Sequence, residues 1–161
     1  MIEDSGFIGD PARVRVLPGV PEALLALAGA GFARIVVTNQ SGVARGMFAA
    51  TDVASVNREL SRALAADGAA VDAFYVCPHL RNCDCRNPAP GLIRRAQAEH
   101  DVDLAASILF GDRGSDIALA AAVGIPGILV NELPGYDGPP PAARARTLLE
   151  GVRSFLDAVR A

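Results

Sequence analysis

Long apolar runs are missing from this chain. Its hydrophobic stretches are short and are broken by glycine, proline or charge, so no transmembrane helix is expected. A basic block is missing too. The 15 basic residues are spread among 18 acidic ones, for a net charge of −3, and nothing points to nucleic acid or an anionic membrane surface. The opening MIEDSGFIGD carries Glu3 and Asp4 and lacks the basic-then-apolar pattern of a secretory signal. The expectation is a cytoplasmic protein. Cysteine is scarce, with 3 residues in the whole chain, and all of them fall between Cys77 and Cys85. In a reducing compartment, thiols crowded in this way are read as metal ligands before disulfides.

What is present describes a folded domain. Apolar residues make up 51% and charged residues 20% of the 161 positions, which argues against disorder and suits one domain with its own core. Helical and strand patterns alternate. PEALLALAGA, from Pro21, predicts a helix with proline in its first turn and Gly31 just past its end. Ala33–Val37, apolar apart from Arg34, is read as a strand buried on both faces. Thr51 is placed as the N-cap of a helix reaching about Asp67, with Val53, Val56, Leu60 and Leu64 on one face. Strands are expected at Val71–Val76, Ser107–Phe110 and Gly127–Val130, and helices at Leu92–Glu99 and Ser115–Val123. NELPGYDGPPPAA predicts a loop. LLEGVRSFLDAVR predicts a last amphipathic helix, interrupted or started near Gly151. The alternation predicts an α/β fold: a parallel sheet with helices on both faces and ligands beyond the carboxyl ends of its strands.

Polar chemistry follows three of the strands. TNQSGVARG, Thr38 to Gly46, offers hydroxyl, amide and backbone donors that suit phosphate oxygens, with Arg45 adding charge. It reads equally well as a polar loop capping the next helix. GDRGSD, Gly111 to Asp116, sets two carboxylates at a strand-to-helix junction, as Mg²⁺ requires. The plainer reading makes Ser115 or Asp116 a helix cap and leaves Asp112 in a turn. CPHLRNCDC presents Cys77, His79, Cys83 and Cys85, a closed Cys₃His set for structural Zn²⁺. A disulfide or unrelated free thiols are its alternatives. In the zinc reading Asp84 points outward from a tight turn.

In this order, VVTNQSGVARG, CPHLRNCDCRNPAPG and FGDRGSDIALAAAVG resemble the haloacid dehalogenase (HAD) superfamily of phosphohydrolases. The similarity is greatest to its zinc-loop group, which holds D-glycero-D-manno-heptose-1,7-bisphosphate and histidinol-phosphate phosphatases. The resemblance implies a HAD-like Rossmannoid domain over 1–161, with a zinc-binding loop insert at 77–85. It implies a small phosphorylated substrate, structural Zn²⁺ and catalytic Mg²⁺. It makes Thr38 and Asn39 holders of the transferring phosphoryl group. Gln40, Ser41, Arg86 and Arg113 become substrate contacts, as does the early stretch Asp4, Ser5, Gly6 and Phe7. Asp112 becomes a Mg²⁺ ligand and Asp116 a carboxylate that orients the metal site. Cys77, His79, Cys83 and Cys85 match the family's zinc ligands.

The family's nucleophile and its general acid/base stand in a D-x-D-G motif at the end of the first, central strand. These 161 residues contain no such motif. The expectation is a chain truncated at its N-terminus relative to the family, lacking that strand and inactive alone. Asn87 is a catalytic position by resemblance, where the family has a lysine whose ammonium meets phosphate charge. A non-catalytic descendant that binds a phosphate ligand or a protein is the second reading. A small zinc-stabilised interaction domain is the third. The sequence does not fix the oligomeric state.

Overall fold

Glycine and proline punctuate this chain, and the apolar residues between them keep helix or strand spacing. The computed structural model describes residues 1–3, 6–131 and 135–160. They form two compact units, Met1–Asn82 and Cys83–Ala161.

In the first unit, Gly19 sits in the left-handed region at φ 79° and starts α1, Val20–Gly29. Its Val20, Ala23, Leu24 and Leu27 recur at helical spacing and are buried. Strand β1 spans Ile35–Asn39, helix α2 Ala50–Ala66 and strand β2 Ala73–Cys77. The strands pair in parallel, with Ile35 opposite Ala73 and Asn39 opposite Cys77. At their open end Arg34 clamps Asp72 by two side-chain hydrogen bonds, at 2.8 and 2.7 Å. Helix α2 buries Val53, Val56, Leu60 and Leu64, as its pattern predicts.

The second unit carries α3 at Gly91–His100, β3 at Leu109–Gly111, α4 at Gly114–Ala122 and β4 at Gly127–Val130. It closes with β5 at Ala143–Ala145 and α5 at Leu148–Arg160. Its sheet runs β3-β4-β5, with both pairings parallel. The centre of its core is Leu119, Leu129 and Val152, each 0% exposed. No described helix is long and apolar enough to cross a membrane.

The fold is the expected parallel α/β class, with four local corrections. The parallel strands form two sheets, β1-β2 and β3-β4-β5. Strand β1 is half-buried at all five positions instead of buried on both faces, because among the described residues it has a strand neighbour only in β2. Thr51 lies inside α2 instead of capping it. The first turn is closed by Asp52, whose carboxylate accepts from the Ala49 N–H at 2.8 Å. The last helix runs unbroken through Gly151, where a side chain would meet Val130 at 3.2 Å. That close approach to β4 explains the glycine. The short strand β5 has no apolar run to announce it, since its residues are Ala143, Arg144 and Ala145.

Candidate functional site

The register of the first unit decides where its polar chemistry stands. Asn39 is level with Cys77, so the TNQSG loop and the cysteine loop leave the sheet at the same carboxyl edge. That edge is where parallel sheets bind ligands. The Gln40 N–H donates to the Cys77 carbonyl at 2.7 Å and carries the pairing one step past the strand. Gln40 Nε2 donates to Thr38 Oγ1 at 3.2 Å. Ser41 is buried, while Thr38 and Asn39 are half-buried. The loop then turns tightly, with Arg45 N–H on the Ser41 carbonyl at 3.1 Å and Met47 N–H on the Gly42 carbonyl at 2.9 Å.

Phe48 fixes this turn. A Cβ at Gly42 would stand 2.3 Å from its ring, and one at Gly9 2.6 Å. Both glycines let the ring lie directly on backbone, which pins the segment around Gly9 to the loop. Sequence reading gives no reason to single out Phe48, because its partners are remote glycines with no chemistry of their own. Of the early substrate stretch, Asp4 and Ser5 lie outside the described residues. Gly6 holds φ 81°, a left-handed conformation that favours glycine. Phe7 is 43% exposed. Its carbonyl accepts from Arg13 Nη1 at 3.3 Å, and its ring lies 5.8 Å from the Arg45 guanidinium carbon.

The Cys/His loop gathers as its spacing predicts. Cys77, His79, Cys83 and Cys85 place four ligand atoms within 4.8 Å of one another, and Cys77 Sγ stands 3.8 Å from His79 Nδ1. Zinc at its usual bond lengths spaces tetrahedral ligands about 3.5–3.8 Å apart, so a small contraction seats such an ion. The cysteines form no disulfide. This cluster can hold a metal ion. Cys77 is buried at the end of β2, and Asp84 is exposed between its cysteines as expected. The Asp84 carbonyl accepts from the Gly91 N–H at 2.7 Å. A Cβ at Gly91 would meet that oxygen at 2.5 Å, so this return of the chain requires glycine.

In the second unit, GDRGSD turns from β3 into α4. The N-cap position of α4 is Arg113, so Ser115 and Asp116 lie inside the helix instead of capping it. Asp116, in the first turn, accepts from the Arg113 N–H at 3.3 Å. Its other oxygen accepts from Asn87 Nδ2 at 2.9 Å, and Asn87 is 7% exposed. Burial raises the Asp116 carboxyl above its ordinary range, and the Asp112 charge adds to the rise. The bonds from Asn87 and the Arg113 backbone oppose it. Gly111 makes room, since a Cβ there would overlap Asp116 at 2.3 Å. Asp112 and Arg113 face outward, 43% and 60% exposed and 3.8 Å apart, too far for a hydrogen bond. Arg86 is half-buried in the turn that leads to Asn87.

Comparison with known proteins places this arrangement. A HAD-hydrolase-like family model matches residues 84–133. The chain is 38% identical to the D-glycero-β-D-manno-heptose-1,7-bisphosphate 7-phosphatase of Yersinia pestis, over 75% of this chain and 70% of that protein. It belongs to the haloacid dehalogenase superfamily, among the heptose-bisphosphate phosphatases. The same enzyme of Rhodopseudomonas palustris matches at 38% identity over 75% of this chain and 72% of its own. The crystal structure of the D,D-heptose 1,7-bisphosphate phosphatase from B. bronchiseptica, complexed with magnesium and phosphate, superposes with a TM-score of 0.88 at 32% identity. That match covers 98% of this chain and 93% of the other. Membership among the sugar-bisphosphate phosphatases agrees with the resemblance carried by the three loops.

Proposed function

We propose that these residues hold substrate and metal for Mg²⁺-dependent hydrolysis of one phosphate of a sugar bisphosphate, of the D-glycero-D-manno-heptose 1,7-bisphosphate type. The observation that carries this is the carboxyl edge of the first unit. There Thr38 and Asn39 end β1, and Gln40 and Ser41 follow it, beside the first cysteine of the Cys/His loop. Thr38 and Asn39 would hold the transferring phosphoryl group, and Gln40 and Ser41 would line the pocket with Gly6 and Phe7. Arg86 and Arg113 would contact substrate. Asp112 would hold Mg²⁺, which typically binds protein through one or two carboxylates and completes its shell with water and phosphate. When bound, that ion shields negative charge on the phosphate. The four-ligand loop would hold one structural Zn²⁺, and its reduced thiols suit the cytoplasm.

These 161 residues hold no D-x-D-G stretch, so the nucleophile of the family's reaction is not among them. Calorimetry should show the chain binding heptose 1,7-bisphosphate in the presence of Mg²⁺, with no release of phosphate. The same chain extended at its N-terminus by an apolar strand ending in D-x-D-G should release it. No binding at millimolar ligand would sink the proposal. So would Mg²⁺-dependent release by the 161 residues that survives Asp112→Ala. Metal analysis of chelator-free protein should give about one zinc per chain.

A non-catalytic, phosphate-binding reading draws on one observation, the buried Asn87. It gives Asp116 a neutral partner where the family has a lysine. Asn87→Lys in the extended chain separates the two readings. A faster phosphatase supports the catalytic one, and an unchanged or slower one supports binding alone.

A further inference from the structure

Four large apolar side chains are exposed among the described residues: Phe7, Leu25, Met47 and Val159. One of them, Phe7, faces a cation. Arg45 lies on the outer limb of the turn after β1, two residues before Met47, with its guanidinium carbon 5.8 Å from the centre of the Phe7 ring. No carboxylate pairs with Arg45 among the described residues. Other exposed arginines do pair: Arg62 with Glu59, Arg95 with Glu99 and Arg146 with Glu150. Arg45 faces a ring instead, with no carboxylate on its charge among the described residues.

The backbone that carries the ring is tied down. Arg13 Nη1 grips the Phe7 carbonyl at 3.3 Å. Phe48 packs against Gly9 and Gly42, and so ties the Phe7 segment to the Arg45 loop. A free arginine side chain loses rotamer freedom when it binds, and resting on the Phe7 ring removes part of that cost before a ligand arrives. The guanidinium edge keeps its N–H donors, in the fork that matches a phosphate. The apolar ring of Phe7 lowers the local competition from water.

We infer that Arg45, stacked on Phe7, is the specificity-determining contact for the second phosphate of the bisphosphate, the one that is not hydrolysed. This rests on the function proposed above. Thr38 and Asn39 end β1, where the reacting phosphate is assigned, and Arg45 stands seven residues past Thr38 across the turn. A substrate with one phosphate leaves the guanidinium unused. A substrate with two engages both ends of the loop. Relatives of this chain are named 7-phosphatases of a 1,7-bisphosphate, so the group read by Arg45 is the phosphate on C1.

The test is equilibrium binding, which needs no turnover. Heptose 1,7-bisphosphate and heptose 7-phosphate are each titrated into the chain, into Arg45→Gln and into Phe7→Leu. Arg45 is exposed and the substitutions are checked for unchanged melting. The wild-type chain should prefer the bisphosphate. Arg45→Gln should weaken it by about tenfold, as loss of a charged phosphate contact does, and leave the 7-phosphate within about twofold. Phe7→Leu should fall between. Equal weakening of both ligands by Arg45→Gln, or weakening of neither, overturns the assignment while the proposed function stands. A wild-type chain that binds neither ligand overturns both.

Discussion

Strands β1 and β4 are nearly the same text with different outcomes. ARIVV leads into β1 and GILV is β4, both short, apolar and β-branched. Yet β4 is buried at all four positions and β1 is half-buried at all five. Neighbours make the difference. Strand β4 has β3 on one side and β5 on the other, with α4 and α5 packed against it. Strand β1 has β2 as its only strand partner among the described residues. An apolar run therefore states a capacity for burial, and the packing around it decides how much of that capacity is used. The difference lies in the strands, since each unit buries a core of its own: Val20 and Leu64 in the first, Leu119, Leu129 and Val152 in the second.

The same substitution in both strands measures this difference most directly. Val130→Ala in β4, where the parent side chain is 6% exposed, should cost roughly 1.5–3 kcal/mol in denaturant unfolding. Val36→Ala in the half-buried β1 should cost about half as much. Equal losses would break the comparison.

Two glycines come next. Gly114→Ala brings a Cβ to 2.6 Å from the Gly138 backbone, and Gly42→Ala to 2.3 Å from the far end of the Phe48 ring. Backbone yields less than a ring, so Gly114→Ala should lose about 1–3 kcal/mol. Gly42→Ala should lose less while disturbing the binding loop. A larger loss at Gly42 would mean the Phe48 ring is as fixed as backbone.

The Arg34–Asp72 clamp holds together β1 and β2, the pair whose first strand is only half-buried. Arg34 and Asp72 are only 16% and 35% exposed. Asp72→Asn should therefore cost about 1 kcal/mol, less at high salt. No effect at low salt would show that β1 and β2 stay aligned without it.

The smallest effect is a pH dependence in the second unit. The Asp116 carboxyl is raised from its ordinary 3.8, first by burial. The protonated form thus favours the fold. Its contribution is complete below the ordinary value and is lost as pH rises through the folded one. In metal-free buffer, Asp116→Asn should gain on the parent chain as pH rises above the ordinary value of 3.8. Parallel stability curves would show that the bonds from Asn87 and the Arg113 backbone outweigh the burial.

Residues that signal by their own chemistry were legible. The four metal ligands stand within nine consecutive positions, so local chain geometry was enough to bring them together. The buried face of α2 followed from spacing alone. Strand β5 escaped because Ala143, Arg144 and Ala145 carry no strand pattern; pairing with β4 creates it. The bond between Asn87 and Asp116 escaped because 29 residues separate them. Phe48 escaped because glycine backbone, which has no side chain to read, is what it touches.

The sequence by itself determined the parallel α/β class, the ligand set of the metal loop and the three polar loops, since each is written in periodicity or in adjacent residues. Tertiary structure alone decided that β4 is buried and β1 is not. It also decided that Asp116 is held by Asn87 and that Arg45 rests on Phe7. Those outcomes depend on which distant segments pack together, and a one-dimensional pattern carries no record of its neighbours in space.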